Sequence, residues 1–203
     1  MESRVNGLLV EVLEGRWRNP DELVGIEEKQ TPPIAAVICG DSRCQSSDVH
    51  PQSRNVVFHP STIGNQVLGV MGSLAYPTEH LESVKLVLVV GHISCGAVTH
   101  AAEMAEHMQS SVKGNSVQEV VDKTLDYFGS SKVSRKILAV TAYEAIEEEL
   151  MPVAQFFANA KQFLHEDEKP YMVKHAAANV YLQTGALLRL RHVQEKVRKE
   201  ELV

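Results

Sequence analysis

The chain has 203 residues, 44% hydrophobic and 23% charged, ordinary proportions for a globular protein long enough to bury one continuous core. Its formal net charge of −6 argues against nucleic acid as a partner, because phosphate binding needs a concentrated positive face. Its apolar runs, Leu86 to Val90 among them, fall far short of the roughly 20 residues of a membrane helix, which argues against a membrane partner.

In chain order, Val5, Leu8, Leu9, Val12 and Leu13 recur at helical spacing and predict an amphipathic helix over residues 2–14. Trp17 to Pro33 reads as irregular, with Pro32-Pro33 forcing an extended approach to Ile34 to Ile38, a short apolar run expected to be a buried strand. Asn55 to Phe58 predicts a second short strand ended by Pro60. Gln66 to Leu81 carries a helical apolar face (Val67, Val70, Met71, Leu74) that Pro77 should kink or end.

Leu86 to Val90 is the clearest strand, unbroken in the manner of one buried on both faces. Gly96 to Met108 should be the helix after it. Ser116 and Glu119 fit a capping box that opens a further helix with Val117, Val120, Val121, Leu125 and Phe128 inward. Ile137 to Tyr143 reads either as a strand or as the start of a helix continuing through Glu149. The tail, Tyr171 to Lys199, is one long helical pattern, and its basic stretch from Arg189, interleaved with Glu195, reads as a solvated face. Strands alternating with helices predict a single α/β domain with a largely parallel sheet.

Three cysteines do not make a disulfide framework in a chain of this length, so metal binding or catalysis leads. No signal-peptide pattern is visible at the amino terminus, and the expectation is a cytoplasmic or organelle-matrix protein. Cys39 follows the first strand, and His92 and Cys95 follow the strand ending at Val90. Parallel α/β sheets gather ligands outside the carboxyl ends of their strands, and neighbouring strands lie about 4.8 Å apart, so these loops can meet. Two thiolates and one imidazole suit zinc and leave a fourth tetrahedral position open. The alternative, a structural cysteine beside a packed histidine, stays open on these three residues alone. Cys44 reads as a free thiol, and His50, His59, His80, His100 and His107 as scattered surface or packing residues, any one of which could carry protons.

Cys39-Gly40-Asp41-Ser42-Arg43 and Gly91-His92-Ile93-Ser94-Cys95-Gly96 closely resemble the C-x-D-S-R and G-H-x-x-C-G signatures of the β-carbonic anhydrases, and Gly72 to Leu81 looks like that family's preceding helix. The resemblance is strong over residues 28 to 100 and weak around Asn179-Val180. It implies a β-carbonic-anhydrase-like fold with a central, mainly parallel sheet flanked by helices. It also implies zinc on Cys39, His92 and Cys95, and reversible hydration of carbon dioxide to bicarbonate and a proton.

The resemblance gives Asp41 two jobs, orienting the attacking water or binding zinc directly in a closed form. Arg43 would decide between them by holding the carboxylate in a planar fork that lysine could not reproduce. Gln30, Phe58, Ile63 and Tyr76 match the family's substrate-pocket residues, the aromatics of which, the resemblance implies, come from a neighbouring subunit. A homodimer, or a multiple of one, is implied as well, with the amino-terminal helix packed on the partner subunit.

Two features depart from the pattern. Ser61-Thr62-Ile63-Gly64-Asn65 stands where the family has an arginine-asparagine pair before the small residue and glycine. The chain also stops at Leu202-Val203, where another core strand is expected, so that strand is either absent or replaced by residues 137–143. Hydrolysis of carbonyl sulfide or carbon disulfide on the same scaffold is the rival activity. A non-catalytic zinc-binding protein is the rival from another class, and Asp41 and Arg43 speak against it because structural zinc needs only ligands.

Overall fold

The apolar, β-branched runs around Ile34 and Leu86 make the centre of the sheet. The computed structural model describes residues 29–110, 112–130, 142–164 and 171–203. The helix expected over 2–14 lies outside them. Pro32–Val203 is one compact unit.

Strand β1 (Ile34–Cys39) pairs in parallel with β4 (Leu86–Val90) over five consecutive positions, Ile34 opposite Leu86 through Ile38 opposite Val90. On its other edge β1 pairs in parallel first with β2 (Val57–Phe58) and then with β3 (Ser61–Thr62), the two pieces separated by His59-Pro60. Asn55, expected in β2, instead has φ +55 in a turn whose Ser53 carbonyl accepts from the Val56 and Val57 amides. Beyond β4, the Val203 amide donates to the Lys85 carbonyl, and the Val87 amide donates to the Val203 carbonyl, both at 2.9 Å.

The period-two geometry of β1 separates two cores. Ala35, Val37 and Cys39 face a large cluster under the helices, whereas Ala36 and Ile38 face a smaller one with Val57. β4 alternates likewise, Val87 and Val89 toward the large cluster and Leu88 and Val90 toward the small one. Its burial is lower than a doubly covered strand predicts: all five residues are half-exposed. Both faces have cover, and on the outer edge Val203 bonds Lys85 and Val87, at the start of the strand.

Six α-helices complete the described unit: α1 (Met71–His80), α2 (Gly96–Glu106), α3 (Val117–Ser130), α4 (Ala142–Ala160), α5 (Tyr171–Leu187) and α6 (Arg191–Arg198). Helix α1 begins later than the apolar spacing suggests. Residues 63–70 form 3-10 turns around Gly64 (φ +68) and Asn65 (φ +47), with Gln66 extended. The helix passes through Pro77 and ends within a turn of it, where the Leu81 amide donates to the Pro77 carbonyl.

In α3 the Glu119 amide donates to Ser116 Oγ (3.1 Å), half of the expected capping box. The Glu119 carboxylate reaches one residue further back, to the Asn115 amide (2.8 Å). Val120, Val121 and Leu125 are buried as expected, and Val117 and Phe128 are half-buried. Ala142 and Tyr143 are helical, which excludes them from a replacement strand. Residues 137–141 lie outside the described residues.

The tail is two helices, not one. Leu190 is extended (φ −70, ψ 120), and Gln194 Nε2 donates to the Leu188 carbonyl at the break (2.7 Å), while Arg189 is anchored by Asp122 and Asp126 of α3. The break lets Leu187 and Val193 both reach the core. Leu74, Leu150, Phe156 and Leu182 are fully buried there, each burial worth about 1.5–3 kcal/mol relative to an exposed side chain.

Candidate metal centre

The centre begins as two strand ends. β1 ends at Cys39, so its sulfur is carried on the helix side of the sheet and is 3% exposed. The neighbouring β4 ends at Val90, and His92 follows after Gly91. Cys95 caps the amino terminus of α2 with extended backbone (φ −68, ψ 119) and is equally buried. Thus the loop from His92 to Cys95 doubles back over the end of β1.

One ligand atom from each of Cys39, His92 and Cys95 falls within 4.8 Å of the others, and the two sulfurs lie 3.6 Å apart. A tetrahedral zinc with bonds of about 2.3 Å to sulfur places two sulfurs about 3.8 Å apart, close to what is found. His92 Nε2 is buried without a hydrogen-bond partner. A buried imidazole nitrogen so placed normally has a partner, and a cation shared with the thiols supplies one. The donor set therefore fits zinc.

The thiols are electrostatically unequal. The Cys95 thiol beside Cys39, with the amides of Asp41 and Gly64, pulls the Cys39 thiol below its ordinary value. Cys95 is pushed up by the same partner and by burial, although the Ala97 and Val98 amides of α2 oppose this. A cation bound between the two sulfurs would displace thiol protons and relieve this mutual opposition. Cys44 is half-buried, and burial followed by the Cys39 charge raises its thiol. It is not among the three converging groups.

Asp41 and Arg43 lie in the turn after β1. The Asp41 side chain accepts from the Arg43 amide (2.9 Å), the local bond that aspartate makes to the backbone two residues on, and the Cys44 amide donates to the Asp41 carbonyl (2.8 Å). The Arg43 guanidinium closes a fork on the same carboxylate, Nε to Oδ1 at 2.9 Å and Nη2 to Oδ2 at 2.6 Å. Together these bonds hold the Asp41 carboxyl well below the usual carboxylate range. Asp41 Oδ2 is 3.9 Å from His92 Nε2, too far for a hydrogen bond and close enough to share a ligand sphere. Arg43 Nη2 also donates to the Ser94 carbonyl (3.0 Å), and Ser94 takes a left-handed conformation (φ +56).

A cavity of about 520 Å3 opens beside this turn, lined by Cys39, Asp41, Cys44, Gln45, Ser46 and His59 among others. Of the four pocket residues implied by resemblance, none is in that lining. Phe58 and Tyr76 stand together, ring centroids 6.0 Å apart, and Tyr76 is 45% exposed. Ile63 packs, half-buried, against the large core. Gln30 is exposed and belongs to the amino-terminal unit, residues 1–31.

Three features of the site escape sequence reading: the Ser94 carbonyl, the His59 side of the cavity, and a buried amide chain behind the loops. In that chain Asn179 Nδ2 donates to the Gly64 carbonyl (2.9 Å) and to Asn65 Oδ1 (3.1 Å), and Gln183 Oε1 accepts from the Val67 amide (2.9 Å). The amide-rich spacing Asn179-Gln183 on a buried helix face was its only signal.

Residues 34–156 match the carbonic anhydrase family model. Carbonic anhydrase 2 of Mycobacterium tuberculosis is 32% identical over 114 residues, 54% of each chain. A carbonic anhydrase of Mycolicibacterium smegmatis is 30% identical over 99 residues, 48% of this chain and 47% of its own. The chain thus spans about half the length of the curated relatives it matches. Among solved structures, the β-carbonic anhydrase CcaA superposes with a TM-score of 0.67 at 15% identity, covering 100% of this chain and 86% of its own. A tetrameric β-carbonic anhydrase of Sordaria macrospora gives 0.63 at 19% identity, covering 98% and 85%. The likeness to solved structures establishes the fold, and the family match falls on the segment that carries all three converging ligands: the chain belongs to the β-class carbonic anhydrases.

Proposed function

We propose that this protein is a zinc-dependent carbonate dehydratase, which hydrates carbon dioxide reversibly to bicarbonate and a proton. The observation that carries the reading is the convergence of Cys39, His92 and Cys95 within 4.8 Å, with the Asp41–Arg43 fork beside them. Two thiolates and an imidazole would hold the ion and leave one position open. When bound, zinc supplies Lewis acidity that ionises water near neutral pH.

The chain's own residues do the rest. Asp41, kept ionised by Arg43, offers a carboxylate oxygen as acceptor for the O–H of the attacking water and so directs its lone pair at carbon. Arg43 keeps that carboxylate from occupying the open position itself. The reaction balances as carbon dioxide plus water giving bicarbonate and one proton, which passes to solvent or buffer.

Phe58 and Tyr76, apolar and outside the cavity of their own chain's Asp41, suit a role at a neighbouring protomer's site. The 45% exposure of Tyr76 and of Met71 on α1 supports an interface there, as does the tetrameric state of the Sordaria macrospora proteins. The reading is accordingly a homodimer or a multiple of one. Among the described residues no helix is long and apolar enough to cross a membrane, and a cytoplasmic or organelle-matrix setting remains the proposal for its location.

Stopped-flow hydration of carbon dioxide by zinc-loaded protein, with carbonyl sulfide and carbon disulfide in parallel, tests the activity. Hydration that rises with pH and is lost in Arg43→Ala at unchanged zinc content is the expected result. Turnover of the sulfur substrates alone would reassign the reaction, and stoichiometric zinc with no turnover of any of the three would make this a binding protein.

A further inference from the structure

We infer that Ser94 is a positioning residue: its left-handed backbone aims a carbonyl at Arg43, which locks the Asp41–Arg43 fork away from the metal position. The inference rests on the reading above, in which Asp41 must stay off the ion.

Arg43 is a surface residue, its side chain 60% exposed, and an exposed ion pair ordinarily holds its geometry weakly, at about 0–1 kcal/mol. Here the guanidinium has a third anchor. Nε and one Nη2 hydrogen take the two Asp41 oxygens, and the remaining Nη2 hydrogen is free for the Ser94 carbonyl, found at 3.0 Å. Three acceptors around one planar group leave it no rotation that keeps all the bonds.

The anchor comes from 51 positions away in the chain, inside the loop that carries His92 and Cys95. Arg43 therefore ties the turn after the first ligand to the loop bearing the other two. Without that tie the arginine is an exposed chain with many rotamers, and Asp41 Oδ2 stands only 3.9 Å from His92 Nε2. A small swing would bring the carboxylate into the open position.

The direction of the Ser94 carbonyl follows from a backbone conformation that L-residues other than asparagine and aspartate adopt reluctantly (φ +56). Glycine adopts it freely, and a β-branched residue resists it most. Substitution at residue 94 should thus sort by backbone preference, not by the hydroxyl, which makes none of these bonds.

The test compares wild type, Ser94→Gly, Ser94→Val and Arg43→Lys. In cobalt-loaded protein, azide titration read in the visible d–d bands reports whether the fourth position is open. Ser94→Gly should keep the wild-type azide affinity, whereas Ser94→Val and Arg43→Lys should weaken it about tenfold as Asp41 competes. In metal-free protein, nitrogen-15 NMR should show hindered rotation of the Arg43 guanidinium in wild type and Ser94→Gly, and averaged signals in Ser94→Val.

Azide affinity and guanidinium rotation unchanged in Ser94→Val would overturn the inference, as would equal losses in the glycine and valine variants. Should Ser94→Val fail to fold, azide affinity in Arg43→Lys equal to wild type overturns it. Failure of the underlying reading looks different: cobalt or zinc loads, azide answers as described, and no substrate turns over.

Discussion

Gly91 separates β4 from His92, and the packing around it allows one substitution to be worked through. A Cβ at that position would lie 2.5 Å from Val180 Cγ2, 3.7 Å from Asn65 Oδ1 and 3.9 Å from the Ala176 carbonyl. Carbon atoms in contact sit about 3.5–4.0 Å apart, so the overlap with Val180 is about 1 Å. A β-branched side chain in a helix has essentially one χ1 rotamer and cannot turn aside. Either α5 or the end of β4 must move, at the usual overpacking cost of about 1–3 kcal/mol.

If the strand end yields, His92 moves with it, and zinc affinity should fall on the order of tenfold, the scale of lost support behind a ligand. Chemical denaturation of metal-free Gly91→Ala measures the first effect, and competition for zinc against a chromophoric chelator the second. Val180→Ala removes the clashing methyls, so the double variant should recover most of the stability lost by Gly91→Ala alone, a coupling of about 1–3 kcal/mol. Wild-type stability and zinc affinity in Gly91→Ala would refute the packing argument, and simple additivity in the double variant would show that Val180 is not the obstacle.

Cys39→Ser and Cys95→Ser should each abolish stoichiometric zinc, read by elemental analysis after dialysis, whereas Cys44→Ser should retain it. In metal-free protein the Asp41 carboxyl, held down by Arg43, should still be ionised at about pH 3 by carbon-13 NMR, well below the ordinary aspartate value of about 3.9. Because its folded value lies below its unfolded one, the pair stabilises the fold above about pH 4, and that contribution disappears only as pH falls through the folded value. Arg43→Ala should return the midpoint towards about 3.9, and a wild-type midpoint there already would contradict the fork. Asn179→Leu strips donors from the Gly64 carbonyl and Asn65 Oδ1. At about 1–3 kcal/mol for each buried orphan, unfolding free energy should drop by about 2–6 kcal/mol, and a loss below about 0.5 kcal/mol would show that the network relaxes.

What could be read from the sequence was local. β1 and β4 are apolar runs flanked by turn residues, Cys39 ends β1, and His92 and Cys95 lie two and five residues past the end of β4, so strand position places Cys39 near His92 and Cys95. Asp41 and Arg43 could be read for the same reason, as their fork closes within three residues of chain. What escaped depends on partners far along the chain or on backbone choices without a residue signature.

Ser94 is left-handed without being glycine or asparagine, and its carbonyl has meaning only because Arg43 lies across from it. β3 follows directly on Pro60 and exists because the free edge of β1 reaches that far. The break at residues 188–190 carries neither glycine nor proline and is held by Gln194 and by the aspartates of α3. Resemblance placed Phe58 and Tyr76 in a pocket whose aromatics come from a neighbouring subunit, and within one chain half-buried Phe58 and exposed Tyr76 form an aromatic pair outside the cavity beside Asp41.

The most direct test of the account is zinc K-edge X-ray absorption on the purified protein, with metal content measured on the same sample. One zinc per chain should show two sulfur neighbours at about 2.3 Å, and nitrogen and oxygen neighbours at about 2.0–2.1 Å. A spectrum with no sulfur shell, or one unchanged in Cys39→Ser, would contradict the claim that the two strand ends meet on one ion.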